Sequence, residues 1–418
     1  MPNYLLTFIG TGGYRQADGA RAYREADYDL DGERYRTTFL AHALFYHGGF
    51  SGVVVAGTAA SMWEKVYEHF AADGPGVDEE AYLALGTRTE AADAETPVGV
   101  VGPGEEWADQ WLDPVRDVLP GWSSVALLEY GTSAAELAGN VERLAAAVAH
   151  VPAGGQLAVD ITHGFRSFPL VALAALQALS VQRDRRYRIG AVYYGMLDVA
   201  RALGYAPVVR LDLVTDLEFA SRAAYVAQAY GRFDELLPVL PKGELAAATA
   251  ELNDAVALQR LGNVATVLAR VEAALDQTDD ARLSVTQAQA VSALRWVLRS
   301  LFAGFGDSPT PSQRQYVLAR WFHRQRNYAA AYLLLPEAIV TERCLRTGGG
   351  YAGAGPRQAA AEWLRRSGGG IRATYQTIAP IRHRIAHASI TSVADDLAGE
   401  IARLPDFLEA VGDYVSPR

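Results

Sequence analysis

Cysteine is almost missing from this sequence, which contains one, Cys344, in 418 residues. A single cysteine excludes a disulfide framework within the chain and a metal site built on cysteines. Because Cys344 lies in a helix-like stretch, Ala338–Leu345, a packing role is favoured over a nucleophilic role. The chain also lacks an apolar run long enough to span a bilayer, and its first apolar run, Tyr4–Ile9, is too short for a secretion signal. We therefore expect a cytoplasmic protein that does not contact a membrane.

The chain has no excess of positive charge. It contains two lysines, Lys65 and Lys242, its other basic residues are arginines, and its net charge is −10 with a pI of about 5.4. Proteins that coat nucleic acid through bulk electrostatics are usually basic. If this chain binds RNA, we expect it to do so in a local patch. Hydrophobic residues make up 50% of the sequence, which is typical of a globular chain and excludes a largely disordered one.

The first half of the chain alternates short apolar runs with stretches of helical length. The runs rich in valine, isoleucine and leucine predict strands at Tyr4–Ile9, Val53–Ala56, Val98–Val101, Val125–Leu128, Leu157–Ile161 and Ile189–Tyr194. The amphipathic stretches predict helices at Thr37–Tyr46, Ala59–Phe70, Ala134–His150 and Pro169–Gln182. This alternation favours a mostly parallel, Rossmann-like sheet that is covered by helices on both faces.

Beyond about Asp212 the helical patterns continue and no further strand is predicted. The expected helices are Ala223–Tyr230, Glu244–Leu261, Val264–Leu275, Val285–Phe302, Gln313–Arg324, Tyr328–Leu345, Arg357–Arg366 and Leu397–Val411. Pro336 is expected to kink or split the sixth of these. Helices joined by short connections are typical of a bundle. The predicted fold is therefore α/β plus all-α, with an α/β domain over residues 1–213 and a helical domain over residues 214–418.

A glycine-rich turn follows the first predicted strand. Its residues are Gly10, Thr11, Gly12 and Gly13. Such a turn lets backbone N–H groups approach a phosphate. The dinucleotide-binding fingerprint is incomplete, because Arg15 stands where its third glycine belongs. A tight strand–helix turn without any ligand accounts for this pattern equally well.

A second polar turn follows the fifth predicted strand, in the segment Asp160–Pro169. It brings together Thr162, His163, Gly164, Phe165 and Arg166. Open parallel sheets bind ligands at the carboxyl ends of their strands, and an arginine there can pair with phosphate. Both turns are expected at the same edge of the sheet, where they suit a nucleotide with several phosphates. In the structural alternative, Asp160 is an internal acid and Thr162 caps a helix.

The helical half carries an arginine and two histidines close together: Arg382, His383 and His387. Pro380 predicts a helix start there, with Arg382 in the first turn. Arg382 can hold a phosphate and stabilise its transition-state charge, and His387 can transfer protons, which suits RNA cleavage without a metal. In a regular helix Arg382 and His387 are about 140° apart, so a second copy of the chain is expected to complete the site.

Two other interpretations of this segment remain open. His383 and His387 share a helix face, as metal ligands often do, although no carboxylate stands between them. Alternatively, all three side chains are ordinary surface groups in an arginine-rich protein, because an arginine and a histidine at this spacing are common by chance. We expect no metal.

The combination of these segments resembles a known family. The segment Asp160–Pro169, the Gly10–Gly13 turn and Tyr193-Tyr194-Gly195 are similar to the CARF domain of type III CRISPR accessory proteins. The segment with Arg382 and His387 resembles the R-x4–6-H motif of HEPN ribonucleases, which follow CARF domains in the Csx/Csm-type family. Leu333–Ala338 is loosely similar to helices of that family. The resemblance covers nearly the whole chain, and it departs from many relatives where His383 replaces the asparagine after the arginine.

The resemblance implies a function for each half. CARF domains pair as dimers and bind cyclic oligoadenylate, here through Gly10–Gly13 and through Thr162–Arg166. The ligand is an allosteric activator and no other cofactor is implied; cyclic tetra-adenylate is favoured over the hexa-adenylate. Activation switches on a composite HEPN site that cuts single-stranded RNA, with Arg382, His387 and His383 as its catalytic residues. A homodimer or a higher even oligomer is expected.

Two other functions are compatible with parts of the sequence. In one, the chain is a non-catalytic sensor of cyclic oligoadenylate that recruits a partner or regulates transcription. In the other, it is a nucleotide-dependent dehydrogenase. The missing third glycine disfavours the dehydrogenase, as does the lack of an acidic residue after the second strand, at Ala56-Gly57-Thr58.

Overall fold

A computed structural model gives the fold of the chain. It describes residues 3–15, 21–93, 109–152, 154–165, 167–180, 187–258, 261–302, 310–387 and 396–416. The contacts divide the chain into two compact units, Met1–Thr215 and Asp216–Arg418. Within the described ranges, every helix is too short or too polar to cross a membrane.

The first unit is built on an eight-stranded sheet. The strands of the unit are β1 (Asn3–Phe8), β2 (Tyr14–Arg15), β3 (Arg21–Ala22), β4 (Ala26–Leu30), β5 (Glu33–Thr37), β6 (Gly52–Thr58), β7 (Ser124–Leu128), β8 (Gln156–Asp160), β9 (Arg188–Gly195) and β10 (Ala206–Arg210). The sheet order is β5-β4-β10-β9-β8-β1-β6-β7, and β2 and β3 form a separate two-stranded ribbon. The five strands from β9 to β7 are parallel, and β10 runs antiparallel to β9. The predicted α/β fold is thereby confirmed.

The helices account for most of the remaining chain. Those of the first unit are α1 (Leu40–His47), α2 (Trp63–Ala72), α3 (Glu79–Ala91), α4 (Asp113–Val118), α5 (Ala134–Ala147), α6 (Ser167–Ser180) and α7 (Ala200–Leu203). α8 (Asp212–Tyr230) begins at the end of that unit. The second unit contains α9 (Glu244–Ala257), α10 (Leu261–Asp276), α11 (Val285–Phe302), α12 (Pro311–Arg324), α13 (Tyr328–Arg346), α14 (Ala354–Arg365), α15 (Ile371–His387) and α16 (Leu397–Val415).

The central strands are buried on both faces, as a parallel sheet between helices requires. All seven residues of β6 are buried. Successive side chains of a strand point to opposite faces, and β1 shows the consequence. Tyr4, Leu6 and Phe8 pack into one core, whereas Leu5 packs into the other. The valine- and leucine-rich runs of the sequence therefore fill two hydrophobic layers at once.

Three prolines of the described residues lie inside helices instead of ending them: Pro336 in α13, Pro380 in α15 and Pro405 in α16. α13 continues through Pro336, so the expected split does not occur. α15 begins at Ile371 and continues through Pro380, so the predicted helix start at Pro380 is wrong. Proline removes one backbone hydrogen bond, but Tyr375, Ile378 and Ile381 are all buried in the helical core. The burial of these side chains stabilises the helix on both sides of Pro380 and offsets the lost hydrogen bond.

Several elements were not predicted. The strands β4, β5 and β10 and the helices α3, α4 and α7 have no counterpart among the expected segments. The expected strand at Val98–Val101 lies outside the described residues. Among the residues described after α8, the structure contains no strand.

Candidate functional sites

The two polar turns that the sequence singled out meet at the carboxyl edge of the sheet. β1 and β8 are hydrogen-bonded neighbours and run parallel, so their following loops leave on the same side. A side chain at Gly10 would overlap the carbonyl oxygen of His163, and a side chain at Gly164 would overlap Phe8. Both glycines are required by close packing between loops and strands. The structure therefore brings the Gly10 loop and the His163 loop into direct contact.

The first loop is fixed by a buried tyrosine. The Tyr23 hydroxyl donates to the Gly10 carbonyl oxygen at 2.8 Å and accepts from the Gly10 N–H at 3.0 Å. Burial raises the pKa of Tyr23 above its usual range, which keeps the phenol protonated. Further along the loop, Gly12 has a φ of +69°, which favours glycine, and Gly13 is exposed. Thr11, between Gly10 and Gly12, is half-buried. The loop thus has a rigid base and an accessible tip.

Asp160 anchors the second loop from inside the sheet. Its carboxylate is completely buried and accepts from the Thr7 hydroxyl at 2.8 Å, from the Thr162 hydroxyl at 2.6 Å and from the Thr162 N–H at 3.0 Å. Burial raises the pKa of Asp160, while these hydrogen bonds oppose the rise. The Thr162 hydroxyl also accepts from the Gly195 N–H at 2.9 Å. Thr162 therefore connects β8 to the end of β9.

The ring of His163 turns toward α1. It lies 4.5 Å from the Tyr23 ring and 6.0 Å from the Phe39 ring, measured between centroids. Its Nε2 lies 3.4 Å from the N–H of Leu40, the first residue of α1. Burial, with a smaller contribution from His69, lowers the pKa of His163 to about 4. A neutral ring can accept the Leu40 N–H, so His163 caps this helix end.

Phe165 completes the described part of the second loop. Its ring lies 5.5 Å from Tyr130, which follows β7, and 5.4 Å from Phe168 at the start of α6. Tyr130 and Phe165 are half-buried, whereas Phe168 is buried. The two partly exposed rings offer apolar surface on the loops that follow β7 and β8. Tyr130 could not be identified from the sequence, where its only signal is its place after a predicted strand. Arg166 lies outside the described residues.

The second candidate site lies at the carboxyl-terminal end of α15. Arg382 is half-buried in the last turns of this helix, not in its first turn as predicted. One Arg382 guanidinium nitrogen lies 3.4 Å from a Glu337 carboxylate oxygen, and the other oxygen of Glu337 is paired with Arg357. Arg357 also donates to the Thr341 hydroxyl and to the Tyr351 carbonyl, both at 3.1 Å. Glu337 therefore holds Arg382 through one long contact and is itself held by Arg357.

Glu337 was not identified from the sequence as a functional residue. It lies next to Pro336 in α13, within the Leu333–Ala338 stretch, and a glutamate on a helix gives no signal on its own. The Nε of Arg382 is buried and has no hydrogen-bond partner among the described residues. The guanidinium group is thus only partly satisfied by protein.

His383 and His387 both lie exposed at the end of α15. Their ring centroids are 4.3 Å apart, as the spacing of four residues in a helix dictates. Within the described residues, no group of three or more histidine, cysteine or acidic side chains is placed to hold a metal ion. Arg384, between the two histidines, pairs with Glu400 of α16. The helix end therefore presents two accessible imidazoles next to a tethered arginine.

The fold and the two candidate sites define a class of molecule: an open α/β sheet with two loops in contact at its carboxyl edge, followed by a helical unit that carries an arginine–histidine segment on α15. The chain is similar to CRISPR-associated protein MJ1674 of Methanocaldococcus jannaschii, with 29% identity over 239 residues. The match covers 55% of this chain but 37% of that protein, so the chain spans little more than a third of its relative. The predicted relationship to CRISPR-associated proteins is thereby confirmed. No protein-family model matches the chain.

Among solved structures, the chain is similar to Enterococcus italicus Csm6 bound to cyclic hexa-2′-fluoro-hexa-dAMP. The sequence identity is 10% and the TM-score is 0.39, with 99% of this chain and 94% of that chain covered.

Proposed function

We propose that this chain is an endoribonuclease that is activated by cyclic oligoadenylate and cuts single-stranded RNA without a metal in type III CRISPR defence. The observation that carries the proposal is the end of α15, where Arg382 and the exposed side chains of His383 and His387 lie on the last turns of one helix. The relationship to a CRISPR-associated protein supports the cellular setting. The contact between the two loops at the sheet edge supports a ligand site in the first unit.

The proposed activator is cyclic tetra-adenylate, bound at the loop edge of the α/β unit. The loop tip at Gly13 is exposed and lets backbone N–H groups approach phosphates. The half-buried rings of Tyr130 and Phe165 are suited to lie against adenine, because aromatic rings stack on bases. His163 and Thr162 support the loop from within, through their bonds to Leu40 and Asp160.

In the proposed reaction, Arg382 binds the scissile phosphate and stabilises the negative charge that develops on it. His387 assists the transfer of the proton from the 2′-hydroxyl to the leaving 5′-oxygen. In a regular helix the two residues are about 140° apart and about 7.5 Å apart along the axis. One copy of α15 does not present both to the same phosphodiester, so we propose a composite site built by two copies of the chain.

The experiment is RNA cleavage in EDTA, with and without cyclic tetra-adenylate. Arg382→Ala and His387→Ala should each lower the rate by about 100-fold or more, as removal of a transition-state contact does, and should leave activator binding unchanged. Arg403→Ala is a matched control, because Arg403 is exposed and bonds to the Gly399 carbonyl of its own helix. Activator binding without cleavage by the unaltered chain would favour the sensor function instead.

A further inference from the structure

Positive charge is concentrated in one part of this acidic chain. Residues 343–387 contain one acidic residue, Glu362, although the whole chain has a net charge of −10. All of this segment lies in the second unit and within the described residues. It contains eight arginines: Arg343, Arg346, Arg357, Arg365, Arg366, Arg372, Arg382 and Arg384. A local basic patch of this kind is what an acidic protein needs to bind RNA.

The arginines of this segment fall into two groups. Apart from Arg382 itself, three of these arginines form ion pairs with carboxylates. The pairs are Arg346 with Glu342, Arg357 with Glu337 and Arg384 with Glu400. The remaining four are Arg343, Arg365, Arg366 and Arg372. Among the described residues, no carboxylate lies within ion-pair distance of any of them. The positive charge of these four side chains is therefore not offset by a paired carboxylate.

A tryptophan orders two of the four unpaired arginines. The guanidinium carbons of Arg343 and Arg372 each lie 3.9 Å from the centroid of the Trp363 ring. Arg343 belongs to α13, Trp363 to α14 and Arg372 to α15, so the ring joins three helices. A cation–π contact fixes the position of a guanidinium group without cancelling its charge, whereas a carboxylate does both. The arrangement therefore keeps two ordered cations available to an anion.

We propose that Arg343, Trp363 and Arg372, which we call the Trp363 cluster, bind the phosphodiester backbone of the single-stranded RNA substrate. Arg365 and Arg366 follow Trp363 at the exposed end of α14 and extend the cluster. Arg372 and Arg382 are ten residues apart on α15, which in a regular helix is about 15 Å along the axis and about 80° around it. The axial distance matches about four nucleotides of a stacked strand, which would have to curve around the helix between them. The cluster holds the strand a few nucleotides from the phosphate at Arg382. The identity of the ligand rests on the proposed function.

The test measures the binding of a fluorescent single-stranded RNA to the full chain carrying His387→Ala, over a range of salt concentrations. In that background, Arg343→Gln with Arg372→Gln should weaken binding at least 10-fold at low salt. It should also reduce the slope of log affinity against log salt by about 1.4, which is the expectation for two lost phosphate contacts on a single strand. Arg365→Gln with Arg366→Gln should act in the same direction, and these exposed positions keep the test valid if the first pair fails to fold.

The matched control removes two exposed arginines of the same unit that are already paired. Arg232 pairs with Asp234 and Arg282 pairs with Asp279, so Arg232→Gln with Arg282→Gln should leave the salt slope unchanged. An unchanged slope and affinity in both test pairs would overturn the inference. So would an equal loss in the control pair, because the effect would then be one of overall charge.

The outcome also separates this inference from the proposed function. In the cleavage assay, the Arg343→Gln, Arg372→Gln chain should show a raised KM and a kcat close to that of the unaltered chain. Cleavage with an unchanged KM refutes the RNA contact and leaves the ribonuclease proposal standing. RNA binding that depends on the cluster, in a chain that never cuts RNA, refutes the ribonuclease proposal and leaves the cluster standing.

Discussion

Replacing Asp160 by alanine should destabilise the α/β unit and detach the second ligand loop. The carboxylate is completely buried, and it is the acceptor for the hydroxyls of Thr7 and Thr162 and for the Thr162 N–H. Alanine leaves these three donors without their partner. Each orphaned buried donor costs about 1–3 kcal/mol. Because the two hydroxyls can rotate toward other acceptors, we expect the free energy of unfolding to fall by about 3–5 kcal/mol.

The ionisation of Asp160 gives this prediction a second signature. Its pKa in the fold is raised above the ordinary value of 3.8, and the cause is burial. The protonated carboxyl is therefore favoured by folding, so its contribution is present below the ordinary pKa and is lost as the pH rises through the raised pKa. Asp160→Asn cannot ionise. As the pH rises above 3.8, the stability of the unaltered chain should decline relative to that of Asp160→Asn.

Urea unfolding of the full chain, followed by circular dichroism at several pH values, measures both effects. Calorimetric titration with cyclic tetra-adenylate should show weaker binding to Asp160→Ala, because the loop that carries Thr162 and His163 loses its anchor. Asp160→Asn is the matched control, since it keeps the shape and most of the hydrogen bonds of the carboxyl group. A loss below about 1 kcal/mol for Asp160→Ala would refute the idea that this carboxylate organises the loop.

Three further predictions follow from the same sites. Gly10→Ala should abolish activator binding when tested by calorimetry, because its Cβ would overlap the His163 carbonyl oxygen. Gly86→Ala, in α3, is the control and should bind normally, because a Cβ there meets only an ordinary van der Waals contact. Glu337→Gln should lower kcat for RNA cleavage by about 10-fold without changing activator binding, because Arg382 loses its charged partner. Glu400→Gln, which removes one carboxylate that pairs with Arg384, is the control, and an equal loss in both variants contradicts a specific role for Glu337. With a pKa of about 4, the His163 ring stays neutral above about pH 5. The affinity for the activator should therefore not change between about pH 5 and pH 8 through titration of this ring. A change in affinity near pH 6.5 that disappears in His163→Asn contradicts the capping role.

The central strands could be predicted because each is a continuous apolar run. β4 and β5 could not, since they form an antiparallel pair in which tyrosines alternate with charged residues, and β10 includes Pro207. The start of α15 was misplaced because Pro380 is a local signal for a helix start. The burial of Ile378 and Ile381 is a tertiary effect that outweighs it.

The sequence could indicate which loops form the candidate ligand edge but not which way each side chain turns. Parallel strands deliver their loops to one edge, so the meeting of the Gly10 and His163 loops follows from topology. The turn of the His163 ring toward Leu40 depends on where α1 packs, which no local pattern encodes. Glu337 is likewise near Arg382 only because α13 and α15 pack together.

The hydroxyl of Thr162 links the carboxyl ends of the adjacent strands β8 and β9, so that they move together. It is occupied on both sides, by the carboxylate of Asp160 and by the N–H of Gly195. A nucleotide that displaces the loop after β8 must either break the bond to Gly195 or drag β9 along with it. Val192 of β9 in turn donates to Asp212, the first residue of α8, at 3.4 Å. A displacement of the loop after β8 would therefore be passed to β9 through Thr162, and from β9 to the first residue of α8 through Val192.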